Sequence, residues 1–197
     1  NIMPLGANKA AIMGVAGTGE AELTLLVDTT FTDTATFSIT SDIDSTYSSY
    51  IFGFYNINPA TDSADLTFQV NADGESGYNE TLMSSIFHGF QSEDDQTAEM
   101  AYDSSYDQDN GTAFQAITIA QGNGSDESSN GFLHLYHPSS TTYATNWYSR
   151  FSSYHFQDKA YDQAAGGYFN ITAAITDIQF KMSGGNMDGN IKMWGVP

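Results

Sequence analysis

The segment DIQFKMSGGNMDGNIKMWGVP (177–197) contains two short alternating runs that flank a turn-rich stretch. Apolar side chains occupy every second position of Ile178–Ser183 and most of the corresponding positions of Ile191–Val196. A period of two places successive side chains on opposite faces of a β-strand. The pattern therefore predicts two strands joined as a terminal hairpin, with Lys181 on the face turned away from the core and Lys192 likewise alternating with apolar neighbours.

Strand signals of the same kind recur from residue 23 onward. Aromatic and β-branched residues alternate or cluster between turn formers at Leu23–Val27, Ala35–Thr40, Tyr50–Ile57, Leu66–Val70, Ala113–Ala120, Gly131–His137, Tyr143–Phe156 and Gly167–Ala174. Between them, Leu82–Phe90 fits a strand or a helical turn, and Gln96–Tyr102 fits a short helix. The close spacing predicts an all-β fold: a mainly antiparallel, jelly-roll-like β-sandwich.

Length and composition agree with one domain of this class. A chain of 197 residues is long enough for a single core that buries roughly 70% of the unfolded chain's surface. Residues 1–22 are rich in Ala and Gly and follow no period, so we divide the chain into an extended N-terminal arm (1–22) and a β-sandwich (23–197). The arm is either a floppy terminus or a segment that docks on a partner. Its candidate docking residues are Met3, Pro4, Leu5, Ile12 and Met13.

The charge balance narrows the classes of partner. The chain has 24 Asp and Glu against 5 Lys and Arg, which gives a formal net charge of −19. Such a field repels phosphate backbones and anionic membranes, so neither nucleic acid nor a membrane is an expected partner. There are no cysteines, which excludes disulfides, thiolate nucleophiles and Cys-ligated zinc. No apolar run has the length of a membrane span.

Motifs for catalysis are missing from the sequence. It contains neither HExxH nor GxSxG, and its loop carboxylates lack the apolar neighbours that raise a catalytic pKa. We therefore expect no enzyme, no catalytic residues and no bound organic cofactor. The best metal candidate is DSSYDQDNG (103–111), where Asp103, Asp107 and Asp109 precede a Gly turn. Oxygen-rich loops suit Ca²⁺, although the spacing differs from an EF-hand and a solvated acidic loop is the alternative.

Aromatic residues on the predicted strands suggest one further kind of site. Tyr136, Trp147 and Tyr148 could form a face on which sugar rings stack, because aromatic rings offer flat apolar surface beside a polar tip. The alternative is that these side chains belong to the core, where aromatic residues on strands are more often found.

Three stretches carry a resemblance to a known group of proteins. ITDIQFKMSGGNMDGNIKMWGV (175–196), GFLHLYHPSSTTY (131–143) and MPLGANKAA (3–11) resemble small virion proteins of marine tailed phages. Those proteins end in a similar alternating strand, a Ser-Gly-Asn turn, an Ile-Lys strand and an aromatic-Gly close. The resemblance covers the C-terminal third well and the middle poorly. The residue before the last Gly is Trp194, where the related proteins more often have Tyr.

The resemblance implies a β-sandwich displayed on a virus particle without enzymatic activity. We accordingly expect a virion structural protein, a capsid decoration or cement protein that contacts the major capsid protein and forms a homo-oligomer such as a trimer. It would be assembled in the host cytoplasm and then exposed to the external medium. Two alternatives stay open: a tail-fibre or surface adhesin module that binds carbohydrate, and a calcium-binding secreted bacterial surface protein.

Overall fold

The computed structural model describes residues 22–197, which form thirteen strands and no helix. The strands are β1 (Thr24–Thr34), β2 (Phe37–Ile39), β3 (Ser49–Pro59), β4 (Leu66–Ala72), β5 (Leu82–Ser92), β6 (Ala98–Tyr102), β7 (Asp109–Gly111), β8 (Gln115–Ala116), β9 (Ser129–Tyr136), β10 (Asn146–His155), β11 (Lys159–Phe169), β12 (Ile175–Met182) and β13 (Met187–Val196). No segment of this described part is a helix long and apolar enough to cross a membrane.

The strands form two sheets. The larger has nine strands in the order β1-β13-β3-β9-β10-β11-β5-β6, with β7 also paired to β5, and the smaller has the order β2-β12-β4-β8. Every strand pair is antiparallel. The predicted all-β, antiparallel sandwich is confirmed, whereas its jelly-roll order stays a prediction.

The core lies between the two sheets and is dominated by aromatic rings. Phe180 on β12 lies 5.6 Å from Phe52 and 5.1 Å from Phe54 on β3, measured between ring centroids. Phe68 on β4 meets Trp147 on β10 at 4.9 Å in an edge-to-face arrangement. Edge-to-face pairs add about 0.5–1.5 kcal/mol each beyond the burial of their area. These contacts join the sheets face to face.

The terminal hairpin is not formed, although both of its strands are. β12 pairs with β2 and β4 in the smaller sheet, while β13 pairs with β1 and β3 in the larger one. The turn between them crosses from one sheet to the other. It includes Gly185, whose φ of +74° favours glycine and whose Cβ, if present, would collide with Thr61. The alternation of apolar and polar side chains predicted the two faces of each strand, but it carried no information about which strand pairs with it.

The two lysines of the terminal segment take different surroundings. Lys181 reaches over the ring of Phe114 at 3.9 Å, on the side of β12 away from the core. Lys192 on β13 forms an ion pair with Asp28 on β1, with 2.9 Å between Nζ and Oδ2. Exposed pairs of this kind add little stability. Both lysines are outward-facing residues that contact neighbouring segments of the framework.

Other boundaries also differ from those predicted. The short helix over Gln96–Tyr102 is wrong, because this segment contains β6, paired to β5. The segment between the predicted strands Tyr143–Phe156 and Gly167–Ala174, where we expected a turn, is largely strand: β11 begins at Lys159 and pairs with β10 on one side and β5 on the other. Its small residues have weak β-propensity, and pairing on both sides outweighs that preference. Only Gln115–Ala116 of the run Ala113–Ala120 is strand.

Candidate binding face on the nine-stranded sheet

The larger sheet has one face against the core and one face toward solvent, which we call the outer face. Strand β10 shows the division most clearly, because its residues alternate between exposed and buried from Asn146 to Ser153. Several large side chains of the outer face are at least 38% exposed: Tyr55, Phe87, Met100, Tyr102, Tyr136, Tyr148 and Tyr168. This face therefore carries the aromatic surface that the smaller sheet does not cover.

Three rings on β9 and β10 stand nearly parallel and form what we call the aromatic row. His134 and Tyr148 are 4.8 Å apart between ring centroids, with an angle of 18° between their planes, and Tyr136 lies 6.0 Å from His134. Phe132 meets His134 edge-on at 5.3 Å. Burial lowers the pKa of His134 below its ordinary value, so its imidazole is neutral at neutral pH. Each ring of the row packs against the next, which restricts the rotamers open to it.

Strand β11, next to the aromatic row, presents mainly small residues to the outer face. Gly166 is paired with Tyr148 on β10 and with Ser85 on β5, whereas Ala164 is paired with Arg150 on β10 and with Phe87 on β5. A Cβ at Gly166 would meet only ordinary contacts, at 3.6 Å or more. Because neighbouring strands are about 4.8 Å apart, the strands that carry Tyr148 and Phe87 are separated by about 9.5 Å. A channel with a low floor results.

We call this channel the β11 slot. Gly166 and Ala164 form its floor. Tyr148 lies beside Gly166 on the β10 side, and Phe87 lies beside Ala164 on the β5 side, so the two rings are diagonal to each other. A depression of about 190 Å³ lies at the Ala164 end of the slot, next to the part bordered by Tyr148 and Gly166. Its lining comprises Phe87, His88, Gly89, Met100, Arg150, Asp162 and Ala164.

A charged pair lies in the β11 slot. Arg150 on β10 donates two hydrogen bonds to Asp162 on β11: Nε to Oδ1 at 2.9 Å and a shorter one from the second nitrogen to Oδ2. Both side chains are more than half exposed, at 59% and 54%. Arg150 is the only arginine of the sequence. The pair thus offers fixed donors and acceptors side by side and open to solvent.

A larger depression of about 440 Å³ lies at the end of the aromatic row. It is lined by Tyr136, Asn146, Tyr143 and the turn around Ser140. Tyr143 is 76% exposed. Asn146 lies between Tyr136 and Tyr168 in the sheet register, so the depression and the β11 slot are neighbours on one face.

The residues predicted to stack on sugars are divided between the two faces. Tyr136 and Tyr148 lie on the outer face, at 38% and 39% exposure, within the aromatic row. Trp147 is only 2% exposed and packs against Phe68 in the core. The prediction is therefore wrong for Trp147, because one step along a strand reverses the direction of the side chain.

The predicted calcium ligands are not assembled. No group of three or more His, Asp or Glu side chains within residues 22–197 is arranged to hold a metal ion. Asp103 instead accepts hydrogen bonds from the backbone and hydroxyl of Ser105, and Asp107 accepts one from the hydroxyl of Tyr102. Asp109 lies in β7. The residues predicted to dock on a partner, Met3, Pro4, Leu5, Ile12 and Met13, lie outside the described residues.

A second group of titratable side chains lies on the inner face. The ring of Tyr161 stacks between His155 at 4.4 Å and His88 at 4.9 Å. Burial, followed by the nearby charges of Lys159 and His88, lowers the pKa of His155 to about 4. Its neutral Nδ1 accepts a hydrogen bond from the backbone of Gln157. These rings pack the end of the core.

Sequence reasoning missed several members of the outer face, namely Phe87, Phe132, His134, Arg150 and Asp162. Arg150 follows Tyr148 by two positions, so alternation could have placed the two side chains on one face. Asp162 could not be found in this way, because its segment was read as a turn. No family model, curated protein or solved structure matches the chain.

Proposed function

We propose that this chain is a non-enzymatic structural protein displayed on a bacteriophage particle, where it decorates or cements the capsid. Two lines support the proposal: the resemblance carried by 175–196, 131–143 and 3–11, and the character of one sheet edge. Leu23, between the arm and the edge strand β1, and Leu25 within β1 are 54% and 50% exposed. That apolar edge, continuous with the arm, is the observation on which the proposal depends.

An edge strand is suited to attachment. β1 is paired with β13 on one side and is the end of the nine-stranded sheet. The other side of such a strand presents backbone N–H and C=O groups that a neighbouring chain can pair with. In our proposal the arm and β1 bury their apolar side chains against the major capsid protein or against another copy in an oligomer such as a trimer. Burial contributes about 25 cal/mol per Å² of apolar area.

Removal of the arm tests this proposal. A variant without residues 1–22 should lose its occupancy on particles that lack the wild-type protein, while its circular dichroism and melting temperature stay those of a folded β-sandwich. Leu25→Asp should weaken attachment in the full chain as well. The matched control is Met100→Asp on β6, at the opposite edge of the sheet and 85% exposed. Full occupancy by the truncated protein would show that attachment uses another surface.

A second candidate function is an adhesin module that binds carbohydrate, as in a tail fibre. The observation that favours it is the outer face, where the aromatic row borders the β11 slot and its Arg150–Asp162 pair. The two functions are compatible, because attachment at the β1 edge leaves the middle of the outer face open.

A further inference from the structure

We propose that the β11 slot binds one pyranose ring of a neutral oligosaccharide, which rests on the second candidate function above and assigns its site. The slot combines three features that such a ring requires: an aromatic wall, a low floor, and fixed polar groups that can both donate and accept hydrogen bonds.

The wall is the free face of Tyr148. His134, on the β9 side, covers one face of that ring at 4.8 Å. Because β11 lies on the other side of β10, the second face of Tyr148 is directed over Gly166. The C–H groups on one face of a pyranose are apolar and pack against such a ring. His134 and Tyr136 hold Tyr148 upright, so little rotamer freedom is lost on binding.

The slot has room for a single ring beside Tyr148. A ring stacked on Tyr148 needs one carbon–carbon contact of roughly 3.5–4 Å, and it would lie above Gly166, which has no side chain. The low floor is essential, because a side chain larger than those of Ala164 and Gly166 would occupy this space.

The polar groups match the hydroxyls of a sugar. Each hydroxyl is at once a donor and an acceptor. Arg150 offers donors and Asp162 offers acceptors at adjacent positions, and their mutual hydrogen bonds hold both in place before a ligand arrives. Two neighbouring hydroxyls of one ring can therefore bind to the pair together. Charge-assisted hydrogen bonds are roughly twice as strong as neutral ones.

The charge of the chain selects the class of glycan. A net charge of −19 repels sialylated, uronic and sulfated sugars, so the ligand is neutral. Further sugar residues would run along β11 past Tyr168, which is paired with Asn146. Beyond Asn146 lies the depression of about 440 Å³ lined by Tyr136 and Tyr143. The site thus accommodates an oligosaccharide with one residue anchored in the slot.

The test uses the full chain against an array of immobilised neutral hexose and N-acetylhexosamine oligosaccharides, with sialylated and sulfated counterparts. We expect saturable binding to neutral members only. Tyr148→Ala and Arg150→Ala should each reduce affinity at least tenfold. Gly166→Val should do the same by filling the floor while all polar groups remain. The matched control, Tyr55→Ala, removes a tyrosine of the same face with similar exposure, 43% against 39%, and should bind as the wild type does.

Three results would overturn the assignment: a wild-type chain that binds no neutral glycan, binding that the slot variants leave unchanged, or slot variants that instead dissociate an oligomer in sedimentation. Failure here is separable from failure of the capsid proposal, because occupancy on particles is measured independently. Gly166→Val should keep full occupancy, since it leaves the arm and β1 intact. Loss of occupancy by this folded variant would show that the slot contacts the particle rather than a glycan.

Discussion

The two faces of the nine-stranded sheet are built from the same kinds of residue and differ in what covers them. On the inner face Phe52, Phe54 and Phe151 are at most 1% exposed. On the outer face of the same sheet Tyr55, Tyr136 and Tyr148 are 38–43% exposed. An abundance of aromatic residues therefore does not separate a core from a binding surface. What separates them is the four-stranded sheet, which covers one side only.

The polar residues of the two faces differ as well. The inner-face residues Ser153 and Gln163 are hydrogen-bonded to each other inside the protein, with 2.7 Å between Nε2 and Oγ. The outer-face pair Arg150 and Asp162 faces solvent. In a buried pair, each polar group supplies the hydrogen-bond partner that the other would otherwise lack, and lacking it would cost stability. An exposed pair adds little stability, because water can replace either partner. The outer pair is thus the one available for a ligand.

Removal of a central ring should show the largest contrast between the faces. Phe180→Ala opens a cavity beside Phe52, Phe54 and Phe68, and we expect it to lower the free energy of unfolding by about 3–5 kcal/mol. Tyr148→Ala, on the outer face, should cost about 1 kcal/mol or less. Urea unfolding of the two variants measures both. Equal losses would mean that the outer face is as tightly packed as the core.

Two adjacent glycines provide a finer comparison. Gly167 belongs to the inner face, opposite Trp147, and a Cβ there would collide with the backbone of Met83 and lie 3.0 Å from the Cα of Ser84. Gly167→Ala should therefore cost about 1–3 kcal/mol. Gly166→Ala meets no contact closer than 3.6 Å and should be nearly neutral. Thermal melts of the pair compare the faces at positions one residue apart; the reverse order would refute the register of β11.

The smallest contrast concerns pH. Burial lowers the pKa of His155 to about 4, while its ordinary value in an unfolded chain is about 6.5. Between these values the unfolded chain binds the extra proton, so stability falls as pH falls through this window. Because solvent screens part of this effect, we expect a loss on the order of 1 kcal/mol from pH 7 to pH 5, measured by urea unfolding.

His155→Gln should remove most of that slope, whereas His134→Gln on the outer face should remove less of it. The pKa of Asp65 is raised by burial, which acts in the opposite direction, because a carboxyl group with a raised pKa loses stability as pH rises. This contribution is common to both variants and cancels in the comparison. A slope that survives in His155→Gln would show that His155 is not the group responsible.

The fold class could be predicted from side-chain alternation within single segments. The errors in the strand prediction also come from relying on single segments. Alternation located the strands that bear large side chains, such as β9 and β10. It failed on β11, where Ala160, Ala164 and Gly166 resemble loop composition and are ordered by pairing on both sides. It also joined β12 to β13, because proximity in sequence suggested a hairpin. The sequence predicted part of the candidate site: it identified Tyr136 and Tyr148 as binding residues but did not identify Arg150 and Asp162.

The amino-acid sequence by itself determined that this protein is an acidic, cysteine-free β-protein whose longer strands have an apolar face, since side-chain alternation is a property of a single strand. The tertiary structure alone decided which strands share a sheet, that Trp147 is buried while Tyr148 faces solvent, and that Arg150 meets Asp162 beside the aromatic row. Those outcomes depend on pairing and coverage between segments distant in the chain, and no local pattern encodes the partner against which a face will pack.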